Sequence, residues 1–454
     1  MCFHQTLPPK KTWGLWSADA EQVNGWKAKP VDTEVHVLLP HEVIHALAGR
    51  NAFDSLLLGN LSDDARVAFW DHVEDLPPWK HHPVLKSGVS KKRLIGCNIH
   101  ADGVQFYRED EYFVWSWSSV WGGQGMVKDV LLYKWPIAVI PERHMRTPQV
   151  RAAVNTKIAQ LTSWSMDIAA RGTGPLRGFM GESLAGTPRE HLMGAELALG
   201  WRACYFAFKG DLKARKEVHE LPRYYRCNQF CDRCLATQGT KCPRSMDYRN
   251  IASDAAWPMT AISHETYMAL DHASLSPWRC MPGFNFLSIT YDFTHNFFLG
   301  TARDLCASSI KVFIDNGLVG DPRTKGMGEL LCLVHRRMRS MCREHGLSLP
   351  CKPNLTLANI GGEDGYFTMG SRWKASHIKL FVWWVAKESD FLGPTSHQDP
   401  LLHVLAACAF GLQRSCEVMD LAGVVLTEME AGEVHECLSV HLRAYFWLAA
   451  FFYQ

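Results

Sequence analysis

The sequence predicts an α/β fold: three antiparallel strands, helices, a fourth strand and another helix, set between a helical N-terminal region and a large helical C-terminal region. Three observations predict it. In "LIGCNIHADGVQFY", Ile95, Cys97, Ile99 and Ala101 alternate with Asn98, His100 and Asp102, the period of two that marks a strand with one apolar face. Thr147-Pro148 then offers an N-cap with proline at the first helical position, followed by a stripe of Val150, Val154, Ile158, Leu161 and Ile168. In "RACYFAFKGD", Cys204, Phe206 and Phe208 alternate with Tyr205, Ala207, Lys209 and Asp211 before the basic helical segment "LKARKEVHEL".

The remaining elements follow in chain order. Residues 1–90 read as helical pieces: "LPHEVIHALAG" stops at Gly49, and "LSDDARVAFWDHVEDL" starts at Ser62/Asp63, places Ala65, Phe69 and Val73 on one face and ends before Pro77-Pro78. After the strand at 94, "EYFVWSWSSV" (111–120) and "DVLLYKWPIAVI" (129–140) are rich in β-formers, and "REDE" and "GGQG" separate the three as a meander. Thr187-Pro188-Arg189-Glu190 has the spacing of a second helix start. From about 256 the signals are mainly helical, at 299–317, 325–346, 372–389 and 399–423. The implied organisation is an N-terminal helical region at 1–90, a catalytic-type core at 91–255 and a helical insertion at 256–454.

Bulk properties narrow the class. The net charge of +2, from 48 basic and 46 acidic residues, gives no whole-molecule field for a polyanion, so a nucleic-acid surface has to be local. Fifteen irregularly spaced cysteines and no cleavable leader fit a reducing compartment, nucleus or cytoplasm, and not secretion. The apolar stretches at 378–386 and 438–454 fall short of the roughly 20 residues a membrane span needs and read as buried helices. A membrane partner is therefore not expected.

Asp102 and Asp211 are the chemistry-bearing pair, because alternation sets both on the non-apolar faces of two separate strands. Carboxylates from neighbouring strands can hold Mg²⁺ or Mn²⁺ for phosphodiester chemistry. Plainer roles stand beside this one: Asp102-Gly103 as a hairpin turn and Asp211 as the cap of the helix after it. Cys227, Cys231, Cys234 and Cys242 lie within "RCNQFCDRCLATQGTKC" and offer four thiolates for tetrahedral Zn²⁺. A redox CxxC would follow a strand, whereas this one follows a helix, and unmetallated buried thiols are the third possibility. Lys209, Lys213, Arg215, Lys216, Arg223 and Arg226 surround Asp211 in sequence, with Tyr224 and Tyr225 able to stack, and suit a DNA backbone as well as a solvated helix face. Arg336, Arg337, Arg339 and Arg343 form a second basic stretch.

Taken together, "LIGCNIHADGV", "FAFKGDL", "CNQFCDRC" and "ITYDFTHNFFLG" resemble the DDE/D transposases of the CACTA (En/Spm) group and their protist relatives. The resemblance implies an RNase H-like core that cleaves and transfers DNA strands with Mg²⁺ or Mn²⁺, and a second copy of the chain is a further conceivable partner. It would make Asp102 and Asp211 the first two catalytic acids, Cys231 and Cys234 the CxxC, and Asp292 and His295 a D-x-x-H string. The group's third acid, usually a glutamate on a late helix, has no counterpart that the sequence singles out among Glu388, Glu417, Glu428, Glu430, Glu433 and Glu436. It is expected beyond Gln454, since the sequence stops within an apolar helix, and the activity of this polypeptide is then open. The rival expectation is a non-catalytic, zinc-stabilised nucleic-acid-binding or interaction protein derived from a transposable element, with a cysteine-dependent redox enzyme third.

Overall fold

The computed structural model describes residues 11–14, 34–107, 110–122, 133–221, 223, 227–238, 242–252, 254–272, 275–347, 355–361, 367–391, 399–423 and 425–452. They divide into two compact units, Met1–Tyr291 and Asp292–Gln454.

The first unit opens with an antiparallel strand pair, β1 (Lys11–Gly14) and β2 (Glu34–Val37). Helices α1 (Pro40–Leu47), α2 (Phe53–Leu57), α3 (Asp63–Val73) and the single turn α4 (Pro83–Lys86) follow. Ser62 caps α3 as its sequence predicts, its Oγ accepting the Ala65 N–H at 3.2 Å. The centre of the unit is a mixed four-stranded sheet of β3 (Leu94–Tyr107), β4 (Asp110–Ser119), β5 (Trp135–Pro141) and β6 (Arg202–Lys209). Spatial order is β5-β4-β3-β6, with β3, β4 and β5 antiparallel to their neighbours and β6 parallel to β3. A parallel neighbour needs a crossover, and α5 (Pro148–Arg171), capped by the Thr147 hydroxyl on the Val150 N–H at 3.3 Å, is the main element of that connection.

The two sheet faces differ. Ile95, Cys97, Ile99 and Ala101 are fully buried, and their β4 neighbours Trp115 and Phe113 meet Asn155 of α5 and Val218 of the helix α6 (Leu212–His219). On the opposite face α3 covers only the start of the strands. The Trp70 indole N–H donates to the Leu94 carbonyl at 3.1 Å, and at Gly96 a side chain would begin 3.2 Å from Trp70 and 3.1 Å from Val120, so glycine permits that approach. Further along, this face opens to solvent, with Val104 and Val139 45% and 46% exposed.

Three expectations change here. Strict alternation along β6 is broken by a register shift, in which Cys97 pairs with Tyr205 but Asn98 with Ala207. Phe206 therefore stacks on Trp79, ring centroids 4.4 Å apart, while Phe208 packs on His219 and Trp278 at 4.2 and 5.7 Å. A bulge turns successive side chains in ways a period of two does not anticipate. The predicted helix start at Thr187 is only a turn followed by a 3₁₀ segment, Glu190–Leu192, and the Thr187 hydroxyl accepts from the Arg189 N–H two residues on. Residues 256–291, read as mainly helical, are mostly loops and short 3₁₀ turns, with the one-turn helix α7 (His264–Met268), and cluster with the sheet unit. Trp278 donates to Asn155 Oδ1 at 3.2 Å, and Ile289 makes a parallel bridge to Phe208, with the Thr290 N–H on the Phe208 carbonyl at 2.9 Å.

The second unit is helical. After a π-helical turn, Thr294–Thr301, come α8 (Ala302–Asp315), α9 (Met327–Glu344), α10 (Ala375–Phe391), α11 (Pro400–Leu421) and α12 (Glu428–Phe452). The run at 378–386 is central, since Ile378, Phe381, Val382, Trp384 and Val385 are all buried. Helices α11 and α12 lie antiparallel, as the contacts Cys408–His441, Gly411–Cys437 and Arg414–Glu433 show; at Gly411 a side chain would begin 2.5 Å from the Cys437 carbonyl oxygen, so only glycine fits. The C-terminal apolar stretch is helical but not wholly buried: Trp447 and Phe451 stack on each other at 5.5 Å and are 43% and 56% exposed. Among the described residues no helix is long and apolar enough to cross a membrane.

Candidate functional site

The parallel pairing of β3 and β6 runs the two segments that lead to the aspartates side by side. The register runs through Ile99 opposite Phe208 and His100 opposite Lys209. At Gly210 a side chain would begin 3.3 Å from the Ala101 carbonyl oxygen, so the strands are still in contact there. Asp102 is the next residue of β3, and Asp211 lies two residues past the end of β6, at the N-cap of α6. In β3, Asp102 shares its face with His100 and, across β4, pairs with Val114 and then Val139, the row that opens to solvent. The turn reading of Asp102-Gly103 falls away, because β3 continues through both residues to Tyr107. The cap reading of Asp211 holds: its Oδ1 accepts the Ala214 N–H at 2.6 Å at the start of α6. A carboxylate has about four acceptor positions, so this bond leaves capacity for a second ligand.

An acid that the sequence did not single out, Glu142, lies beside Gly103, on the face of β3 that Asp102 does not share. Glu142 Oε1 is 3.6 Å from where a side chain on Gly103 would begin. Burial raises its pKa, Lys213 and Arg151 oppose the rise, and Glu111 reinforces it. Strand pairing sets Glu111 opposite Gln105 and ends at Pro141, one residue before Glu142, so no sequence signal marks the two acids as a pair. Among the described residues no three His, Cys, Asp or Glu side chains converge as a metal-ligand group. The acids of the second unit have local uses: Glu388 pairs with Arg337 at 2.7 Å, Glu433 with Arg414 at 2.6 Å, and Glu430 accepts the Thr427 N–H at 2.7 Å.

The basic residues around Asp211 separate into two groups. Lys209 and Lys213 are exposed and Lys216 is half-buried. Arg215 is a correction to the sequence reading: 1% exposed, it is ion-paired with Asp232 and stacked over the Tyr291 ring at 3.9 Å, so it is a core residue and not a phosphate contact. Arg223 also works internally, its guanidinium donating to the carbonyls of Cys231 and Cys234 at 3.3 and 2.7 Å. Arg226, Tyr224 and Tyr225 lie outside the described residues.

The four cysteines do not meet. Cys231 and Cys234 are in side-chain contact, and burial, with Cys231 beside it, pushes the Cys234 thiol up to about 11. Cys227 is exposed, and the Cys242 thiol bonds to Thr237 and to the Pro243 carbonyl. As the residues stand, tetrahedral Zn²⁺ would find two of its four ligands in place. His219, at the end of α6 just before the cysteine segment, is wholly buried with Nδ1 2.7 Å from the Ser276 hydroxyl, and so does not stand in as a further ligand.

Asp292 and His295 form a compact pair in the second unit. Asp292 Oδ2 meets His295 Nδ1 at 2.6 Å, and Oδ1 accepts the Thr294 N–H at 2.8 Å. Burial raises the Asp292 pKa, but the bonds from His295 outweigh it and hold the carboxyl below its usual range. The aspartate thus caps the turn and fixes the imidazole's orientation.

One spacing of metal-binding type is put to structural use. His41-Glu42-x-x-His45 in α1 has the H-E-x-x-H pattern of zinc proteases. Yet His41 Nδ1 lies 2.8 Å from the Ser165 hydroxyl, His45 Nδ1 accepts the Ala198 N–H at 2.9 Å, and Glu42 is paired with Arg189. Comparison with known proteins adds no family: no protein-family model matches the sequence, and no curated protein matches it.

Proposed function

We propose that the chain carries the RNase H-like core of a DDE/D transposase-type protein, acting on DNA by metal-dependent strand cleavage and transfer. The observation that supports this reading is the parallel β3/β6 pairing up to His100 opposite Lys209, with Asp102 and Asp211 each two residues further on and the sheet face beside Asp102 open to solvent. Asp102 and Asp211 would hold Mg²⁺ or Mn²⁺, whose charge stabilises a phosphodiester under attack and activates a water or a 3′-hydroxyl. Asp211 keeps Oδ1 on the Ala214 N–H, which fixes the carboxylate and leaves Oδ2 as the ligand atom. Lys209 and Lys213, exposed on either side of Asp211 in sequence, supply positive charge for the DNA backbone. Turnover further requires a third acid, and none of the described acids groups with these two.

Mn²⁺ titration of the full chain, read by electron paramagnetic resonance, tests the pairing without depending on turnover. Wild type is expected to bind Mn²⁺ and both Asp102→Asn and Asp211→Asn to lose it, with circular dichroism unchanged. Binding that survives both substitutions overturns the proposal. The rival, a non-catalytic DNA-binding or interaction protein from a transposable element, draws on Asp211 being a helix cap and on the two-acid count. It predicts DNA retention indifferent to Mn²⁺ and to Asp102→Asn.

A further inference from the structure

Within the cysteine segment the structure selects one pair, Cys231 and Cys234, and gives its members unequal surroundings. Cys231 is half-exposed, and Cys234 is buried at 7% exposure and in contact with it. The loop is clamped from both ends by one guanidinium, since Arg223 Nη1 donates to the carbonyls of both residues. Cys231 Sγ also accepts the Arg233 backbone N–H at 3.4 Å. Of the two residues between them, Asp232 is anchored to Arg215 and accepts the Tyr291 hydroxyl at 2.8 Å, which fixes the loop between the thiols. An accessible thiol backed by a buried neighbour is the arrangement in which one sulfur attacks and the other resolves.

We propose that Cys231 and Cys234 form a thiol–disulfide exchange site, with Cys231 attacking, Cys234 resolving, and low-molecular-weight disulfides of the glutathione class as oxidant. The Cys231 thiolate attacks one sulfur of R–S–S–R, forming a mixed disulfide and expelling R–S⁻. Cys234, giving its proton to solvent, attacks the Cys231 sulfur, forms the intramolecular disulfide and expels the second R–S⁻. The protein loses two protons and two electrons, and the small disulfide takes them up and leaves as two thiols. This site is independent of the two aspartates, and its failure leaves that reading untouched.

The test is oxidation of the full chain with oxidised glutathione, followed by alkylation and peptide mapping. The peptide containing Cys231 and Cys234 is expected to lose two hydrogens and to resist alkylation at least about tenfold better than Cys227, with dithiothreitol reversing both changes. Cys234→Ser should trap glutathione on Cys231, and Cys231→Ser should leave Cys234 unmodified. Alkylation of both thiols at the rate of Cys227 overturns the proposal. So does one tightly bound zinc per chain that blocks oxidation and is lost in both variants, which assigns the pair to metal. Because the wild-type map is decisive by itself, misfolding of either variant does not rescue the idea.

Discussion

The two units differ in what they bury. In the sheet unit the interior takes in ionised side chains: Glu42, Arg66 and Arg215 are all under 9% exposed, and each has a carboxylate or guanidinium partner. Among the described residues the helical unit buries no Asp, Glu, Lys or Arg, and fills its core with Leu, Ile, Phe, Trp and cysteines such as Cys306 and Cys408. The described non-glycine residues with positive φ, Asn60, Ala198, Leu199 and Glu220, also all belong to the sheet unit. Cysteine shows the contrast directly. Cys306 is a packed hydrophobe whose thiol burial pushes far up, whereas Cys231 is reachable and clamped. Buried charge and backbone strain lower stability unless the surrounding contacts offset them, so they concentrate where geometry has to be fixed for a purpose.

The comparison can be broken at several points. Acidification should have the largest effect. Burial lowers His82 and His441 from 6.5 to about 4, lowers His41 to about 3, and takes His219 well down. The folded protein therefore resists protons that the unfolded chain accepts. This stabilisation is fully present above pH 6.5 and is lost as pH falls toward 4. By pH 5 each such histidine costs about 2 kcal/mol. Three of these four, and His45, which burial also lowers, are in the sheet unit, against His441 and His335 in the helical one, so hydrogen exchange between pH 7 and pH 5 should show the sheet unit weakening more. Equal loss in both units would contradict the contrast.

Next comes the ion pair that holds the cysteine loop. Asp232→Ala strands the buried Arg215 guanidinium and should cost about 3–5 kcal/mol in urea unfolding. The helical unit's Lys379–Asp420 pair, 42% and 60% exposed, should yield less than about 1 kcal/mol on Asp420→Ala. Similar costs would mean that burial of Arg215 does not set the energetics. The smallest effects come from the caps. Asp211 caps α6 and Asp399 caps α11, its Oδ1 accepting the Leu401 N–H at 2.9 Å, so alanine at either should cost about 1 kcal/mol and asparagine a few tenths. Thermal denaturation measures both. A cost at Asp211→Asn as large as at Asp211→Ala would show that the charge there does more than cap.

Much of the local structure was legible. The alternation at 95–102, the Thr147-Pro148 start, the Ser62 cap and the long helices of the second unit all rest on spacings of a few residues, where backbone geometry alone fixes which side chains share a face. The same locality explains the misses. Thr187-Pro188-Arg189-Glu190 has a helix-start spacing, but the backbone turns at Gly194, whose φ is +66°, and Trp447 and Phe451 satisfy the pattern of a buried helix while lying exposed. Arg215 reads as surface charge on a basic helix, because its partner Asp232 lies in a loop beyond that helix.

The sequence by itself determined that Asp102 lies within a strand, that Asp211 starts the helix that follows one, and that the cysteines cluster after it. Only the tertiary structure decided that β6 runs beside β3 in parallel, so that segments leading to two aspartates 109 positions apart (211 minus 102) lie side by side. It alone also decided that Cys231 meets Cys234 and not Cys227 or Cys242. Periodicity reports which face a residue occupies within its own element. Which elements then pair depends on long-range burial and backbone hydrogen bonding, for which no short spacing is a record.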